Sequence, residues 1–203
     1  METIRFERED IDVVTELLME GSVVAFPTDT VFGLGVIYDD EDALKRLKEA
    51  KGRPEEKPIP TMVGNVEQLH QVAIVNDTAL KLAHAFMPGA LTLILKKKPT
   101  VKDYVTNGLD TIGIRMPDDA FVLKVIQGCG KPLLVTSANI SGEETGLNSA
   151  QVIKQLDGRI DAIVLGTANG KTASTIVDVS NDDVKILREG PISEAMIQEV
   201  LHR

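Results

Sequence analysis

The chain of 203 residues has no tryptophan, one cysteine and three histidines, and each shortage excludes something. A single cysteine permits neither an internal disulfide nor a cysteine-based zinc site. Cys129 lies in Q-G-C-G-K and reads as packing or turn filler, not as a nucleophile. His70, His84 and His202 are scattered, two in helical patterns and one in the tail. Without a His or Cys cluster, any chemistry must run on Lys, Arg, hydroxyls, carboxylates and backbone groups. Two tyrosines and five phenylalanines are too few for a platform that stacks single-stranded nucleic acid. No apolar run approaches the roughly 20 residues of a membrane span, so no membrane partner is expected. The opening M-E-T-I-R-F-E-R-E-D has no apolar signal-peptide core, and a cytoplasmic location is the expectation. Positive charge is in deficit: 22 Lys and Arg against 31 Asp and Glu give a net charge of −9. That argues against nonspecific affinity for nucleic acid and still allows a local basic pocket.

What is present is an ordinary globular composition, 43% apolar and 26% charged, on a chain long enough for one domain, expected to span 1–203. The centre of interest is Gly21 to Tyr38, G-S-V-V-A-F-P-T-D-T-V-F-G-L-G-V-I-Y. Val23 to Phe26 and Leu34 to Ile37 have the length of buried strands, and Pro27 ends the first. Thr28, Asp29 and Thr30 place three short oxygen-bearing side chains in the connection. They either satisfy the backbone of a turn or hold a polar ligand.

Capping residues mark the helices. Asp10, Asp40, Asp77, Asp118 or Asp119, Asn148 and Ser193 each precede an apolar pattern of helical period. Strands are expected at 59–63, 91–95, 111–115, 133–136, 160–165, 175–179 and 184–187. Alternating strands and helices predict a layered α/β domain. The last strands follow one another without helices, so the sheet should be mixed.

Three constellations invite a chemical reading. Lys45 to Pro58, K-R-L-K-E-A-K-G-R-P-E-E-K-P, concentrates cations in an acidic chain. Lys45, Arg46 and Lys48 suit a solvated helix face. Lys51, Arg53 and Lys57 sit around Gly52 and Pro54, where a stiff turn can aim cations at an anion such as a nucleotide phosphate. Val135 to Gly142, V-T-S-A-N-I-S-G, runs from a buried strand into Thr136, Ser137, Asn139 and Ser141, at the end of a strand where α/β sheets bind ligands. A capped turn is the alternative. Arg115 and Arg188 each end a strand, as surface ion pairs or as clamps for carboxylate and phosphate. A fourth pattern, G-T-A-N-G-K-T at Gly166 to Thr172, falls one residue short of a phosphate loop and precedes a strand instead of a helix, so it is rejected.

These pieces together resemble the YrdC family of threonylcarbamoyl-AMP synthases. The resemblance runs from about Gly21 to Pro191 and rests on several blocks in order. They are P-T-D-T-V-F-G-L-G at 27–35, K-G-R-P-E-E-K-P at 51–58, P-G-A-L-T-L-I-L at 88–95 and T-I-G-I-R-M-P at 111–117. S-A-N-I-S-G at 137–142, S-T-I-V-D at 174–178 and L-R-E-G at 187–190 complete them. The resemblance implies a twisted open mixed α/β sheet, flanked by helices around a large concave cavity. It implies condensation of L-threonine, bicarbonate and ATP, carried with Mg²⁺ on its phosphates, into threonylcarbamoyl-AMP and pyrophosphate. Partner proteins, a tRNA-modifying transferase complex, would then act on tRNA, with direct tRNA contact left open.

Residue by residue, the resemblance implies catalytic roles for Lys51, Arg53, Ser137 and Asn139. It implies ATP contacts from Arg53, Lys57, Thr111, Ser137, Thr145 and Arg188. Threonine contacts fall on Thr30, Arg115, the Val135 backbone and Ser174. Met62 stands where many members place a threonine-contacting His, and Phe32 where they carry Tyr, which would remove a hydroxyl near the threonine. No resident metal site is implied, and the C-terminal extra domain of longer members is not expected here. Two rivals are an RNA-binding module of the same fold without turnover and a synthase of another carbamoyl-adenylate.

Overall fold

The computed structural model describes residues 2–52, 58–170, 172–181 and 183–202. Along the chain, β1 (Ile4–Phe6), α1 (Ile11–Met19), β2 (Val24–Phe26), β3 (Gly33–Ile37) and α2 (Glu41–Lys51) come first. Then come β4 (Thr61–Met62), α3 (Val66–Val72), β5 (Ala73–Ile74), α4 (Asp77–Phe86), β6 (Leu91–Lys97) and α5 (Asp103–Thr106). β7 (Thr111–Arg115), α6 (Ala120–Cys129), β8 (Leu133–Ser137) and α7 (Ser149–Leu156) follow. β9 (Ala162–Val164), β10 (Thr175–Asp178), β11 (Lys185–Arg188) and α8 (Glu194–Leu201) close the chain.

Among the described residues the strands form one sheet in the order β1-β9-β2-β3-β8-β4-β7-β6-β10-β11, with β5 pairing β6 from outside this path. The sheet is mixed, as the helix-free run of late strands predicts. β10 lies parallel to β6 and antiparallel to β11.

Caps explain most helix starts. The Asp40, Asn65, Asp119, Asn148 and Ser193 side chains each accept an N–H three residues on, which satisfies a donor the helix leaves open. Two expectations need correction. Asn76, not Asp77, caps α4, and its buried face is Ala79 and Leu82. Asp10 precedes α1 but its carboxylate turns back to accept the Glu7 N–H at 2.8 Å.

The alternation of side chains along the strands creates two apolar faces. One face carries Leu34, Leu93, Ile114, Leu134 and Val177, packed under Leu47 of α2, Leu82 of α4, Val152 of α7 and Ile197 of α8. The opposite face carries Val24, Phe26, Met62, Leu133, Val135 and Val164, covered by Val14 and Leu18 of α1 and Val122 and Ile126 of α6. Cys129 belongs to this second cluster. Burial pushes its thiol up to about 11, which suits packing and not attack. Further along the sheet, residues of β4, β6, β7, β10 and β11 on this face line the cavity described next.

Candidate active site

A cavity of about 400 Å³ lies on the second face, within the roughly 300–1,000 Å³ usual for ligand pockets. Its floor is one cross-strand row. Met62 of β4 pairs with Arg115 of β7, Arg115 with Thr92 of β6, Thr92 with Ile176 of β10, and Ile176 with Arg188 of β11. All five residues line the cavity. Paired residues on neighbouring strands share a face, so residues far apart in sequence stand in file about 4.8 Å from one another.

The near wall comes from β3 and β8. Gly33 lies opposite Ser137 in the register, and both line the cavity with Val135, Thr136 and Thr145. Gly33 is required by space: a Cβ there would meet Val135 Cγ1 at 2.9 Å and the Phe26 ring at 3.2 Å.

Arg115 is buried and held at three points. It donates from Nε to the Gly89 carbonyl at 3.3 Å, from Nη1 to Thr30 Oγ1 at 2.7 Å and from Nη2 to Asp29 Oδ1 at 2.5 Å. Thr28 in turn donates to the Val31 carbonyl at 2.6 Å and lies 3.2 Å from Thr30 Oγ1. The T-D-T run is therefore a turn and a cradle for the guanidinium at once. Burial lowers the Arg115 pKa from its ordinary value, Asp29 opposes that shift, and Arg188 adds to it. The two arginines thus sense each other's charge across the row.

Arg188 is held differently. Its Nε and Nη2 donate to the Ser174 carbonyl at 3.0 and 2.8 Å. Ser174 Oγ lies 2.8 Å from Thr92 Oγ1, both hydroxyls buried. Among the described residues no carboxylate forms an ion pair with Arg188, and burial is the one cause that lowers its pKa. Gly190 keeps this corner tight, because a Cβ there would stand 2.8 Å from the Thr175 nitrogen.

The sequence-expected residues sort into groups. Thr30, Met62, Arg115, Val135, Ser137, Thr145, Ser174 and Arg188 line the cavity. Arg53 and Lys57 lie outside the described residues. Thr111 does not line it. It starts β7 opposite Lys96, on the Arg115 face but four residues, roughly 13 Å, down the strand. Lys51 and Asn139 do not line it either. Lys51 is buried, and its ammonium donates to the Ser137 carbonyl, to the Asn139 carbonyl at 2.6 Å and to Asn139 Oδ1 at 3.4 Å. Its own carbonyl accepts the Ser141 N–H at 2.8 Å. Lys51 therefore pins the end of α2 to the turn after β8, and the turn presents Ser137.

Phe32 is also away from the cavity. It is fully buried in the first apolar cluster, so a hydroxyl lost there is lost from the core. Thr28, read from the sequence as turn or ligand holder, lines the cavity, whereas sequence reading missed Thr92 and Ile176 as lining residues and Asp29 as the partner of Arg115. For Thr92 a signal existed: it is the lone polar residue in L-T-L-I-L. Among the described residues no group of three or more His, Cys, Asp or Glu is arranged to hold a metal ion. No helix among them is long and apolar enough to cross a membrane.

Comparison with known proteins locates this architecture. A model of the Sua5/YciO/YrdC family, described as telomere recombination, matches residues 16–190. The chain is 41% identical over 188 residues to a threonylcarbamoyl-AMP synthase of Bacillus subtilis, covering 91% of this chain and 54% of that one. It is 38% identical over 202 residues to the threonylcarbamoyl-AMP synthase of Pyrococcus abyssi, covering 97% and 58%. It therefore spans a little over half the length of these relatives. The crystal structure of P. abyssi Sua5 complexed with L-threonine superposes with a TM-score of 0.91 at 36% identity, covering 99% of this chain and 61% of that one.

Proposed function

The chain belongs to the Sua5/YciO/YrdC family, and from that membership we propose that it is a threonylcarbamoyl-AMP synthase. It would join L-threonine, bicarbonate and ATP into threonylcarbamoyl-AMP and release pyrophosphate. The observation that carries this reading is the presence of two unlike guanidinium groups in one cavity. Arg115 is a fork oriented by Asp29 and Thr30, and Arg188 has no carboxylate ion pair among the described residues. An amino-acid carboxylate needs the first, and a nucleotide phosphate needs the second. The names of the longer relatives and the threonine complex of Sua5 support the same assignment.

The chemistry follows from charge. The threonine amine and bicarbonate give an N-carboxylated threonine and water. A carbamate oxygen then attacks the α-phosphorus of ATP in line. The bond from that phosphorus to the bridging oxygen breaks, and pyrophosphate leaves with the electron pair. Both reactants are anions, so catalysis is positioning plus neutralisation. Arg115 would hold the threonine carboxylate beside Thr30, Val135 and Ser174. Arg188, Ser137 and Thr145 would meet the nucleotide, joined by Arg53 and Lys57. Lys51 and Asn139 would act through the turn that presents Ser137. Mg²⁺ would enter on the ATP phosphates as part of the substrate. No nucleophilic side chain is required, in keeping with a thiol that is buried and a chain without a histidine cluster. The product, an activated acyl-adenylate, would pass in the cytoplasm to a tRNA-modifying transferase complex.

The test is pyrophosphate release from ATP and Mg²⁺ with bicarbonate, with and without L-threonine. Threonine-dependent and bicarbonate-dependent release is expected. Nucleotide binding without any such release would overturn the reading.

A further inference from the structure

Arg115 has unlike neighbours in the floor row. On one side stands Met62, which offers no hydrogen bond of ordinary strength, and on the other Thr92, which does. An α-amino acid with its carboxylate on the Arg115 fork has its β-carbon two bonds from the carboxyl carbon. Met62 and Thr92 flank Arg115 one strand away on either side, roughly 4.8 Å, so their side chains bracket the β-carbon of a ligand seated on the fork. Threonine carries a methyl and a hydroxyl there, one for each neighbour.

Thr92 is 2% exposed, and its Oγ1 lies 2.8 Å from Ser174 Oγ with either atom able to donate. One proton is shared between the two oxygens, Ser174 Oγ also accepts from Arg188 Nη2 at 3.4 Å, and the other hydroxyl proton and the remaining lone pairs are left for a ligand. Such a pair matches a hydroxyl, which both donates and accepts. It offers nothing to a methyl group, and burying it against one leaves a polar group without its partner. Ser174 is fixed in turn, because its carbonyl accepts two bonds from Arg188.

The geometry points to Thr92 as a specificity-determining residue. With Ser174 it reads the β-hydroxyl of the amino acid, while Met62 takes the methyl, so the row reads the configuration of the β-carbon. This inference rests on the synthase reading above and adds to it the residue that tells threonine from its isosteres.

The test is kcat/KM for pyrophosphate release with L-threonine, L-2-aminobutyrate and L-allo-threonine. The wild type, Thr92→Val and Thr92→Ser are compared. A site built to bond a hydroxyl rejects the analogue lacking it far better than an apolar pocket does. The wild type should favour threonine over both analogues by about 100-fold or more. Thr92→Val should reduce the preference over 2-aminobutyrate to about tenfold or less, through a higher KM for threonine with the KM for MgATP unmoved. Thr92→Ser should retain it. A Thr92→Val enzyme with wild-type preference would overturn the assignment. So would a wild type that uses L-allo-threonine as well as L-threonine, a measurement that needs no variant. If the wild type shows no threonine-dependent release, the synthase reading falls and this inference with it.

Discussion

Arg115 and Arg188 stand on the same floor row, separated by Thr92 and Ile176, yet the protein treats them in opposite ways. Arg115 is buried, ion-paired to Asp29 and tied to Thr30 and Gly89. Arg188 is exposed at the sheet edge and leans on a backbone carbonyl. Position in the sheet accounts for the difference. β7 is internal, so its terminal guanidinium is desolvated, and the Asp29 carboxylate offsets that cost. β11 is an edge strand, so solvent supports its charge until a ligand arrives. The same residue type is thus a rigid, largely neutralised fork in one place and an available cation in the other.

The largest effect should come from Arg115→Ala. It leaves the partly buried Asp29 without its partner, so stability should fall by up to about 3–5 kcal/mol and threonine-dependent release should vanish. The double variant Asp29→Ala/Arg115→Ala should recover stability but not activity, as read by denaturant unfolding beside the kinetic assay. Arg188→Ala should lower kcat/KM by roughly 100-fold or more through the nucleotide, while its unfolding midpoint stays within experimental scatter. Equal stability losses for the two alanine variants would break the comparison.

Phe32→Tyr tests whether the missing hydroxyl matters to the cavity. Phe32 is core, so the change should leave the KM for threonine unmoved and cost stability of about 1–3 kcal/mol. The smallest effect belongs to Thr61→Val. Thr61 Oγ1 is buried with no hydrogen-bond partner among the described residues, and its register partners Ile114 and Leu134 face the apolar core. Removing the hydroxyl should be neutral or stabilise by up to about 1 kcal/mol, read as a small rise in Tm with unchanged kinetics.

The contrast between the two arginines was only partly legible in the sequence. Both stood out as strand-terminal cations, and the caps at Asp40, Asn148 and Ser193 placed their helices. The alternation of strands and helices gave the fold class. What local pattern could not supply was register. β4 beside β7 and β6 beside β10 are pairings of strands distant in sequence, and only those pairings put Met62, Thr92 and Ile176 in file with the arginines. Thr111 shows the same limit from the other side. It shares a strand and a face with Arg115, yet strand rise carries it out of the cavity. β1 and β5 escaped notice because two or three residues are too short to display a period. Lys51 sat in a basic run that resembled phosphate-binding chemistry. Its burial beneath the turn after β8 depends on how α2 packs, which a count of cations does not reveal.

The most direct measurement is calorimetric titration of L-threonine and of MgATP, separately, into the wild type, Arg115→Lys and Arg188→Gln. Arg115→Lys keeps a charge for Asp29 and removes the planar fork. The account predicts a crossed pattern: Arg115→Lys loses threonine binding and retains MgATP, and Arg188→Gln does the reverse. Loss of the same ligand in both variants would contradict the division of the cavity between the two arginines.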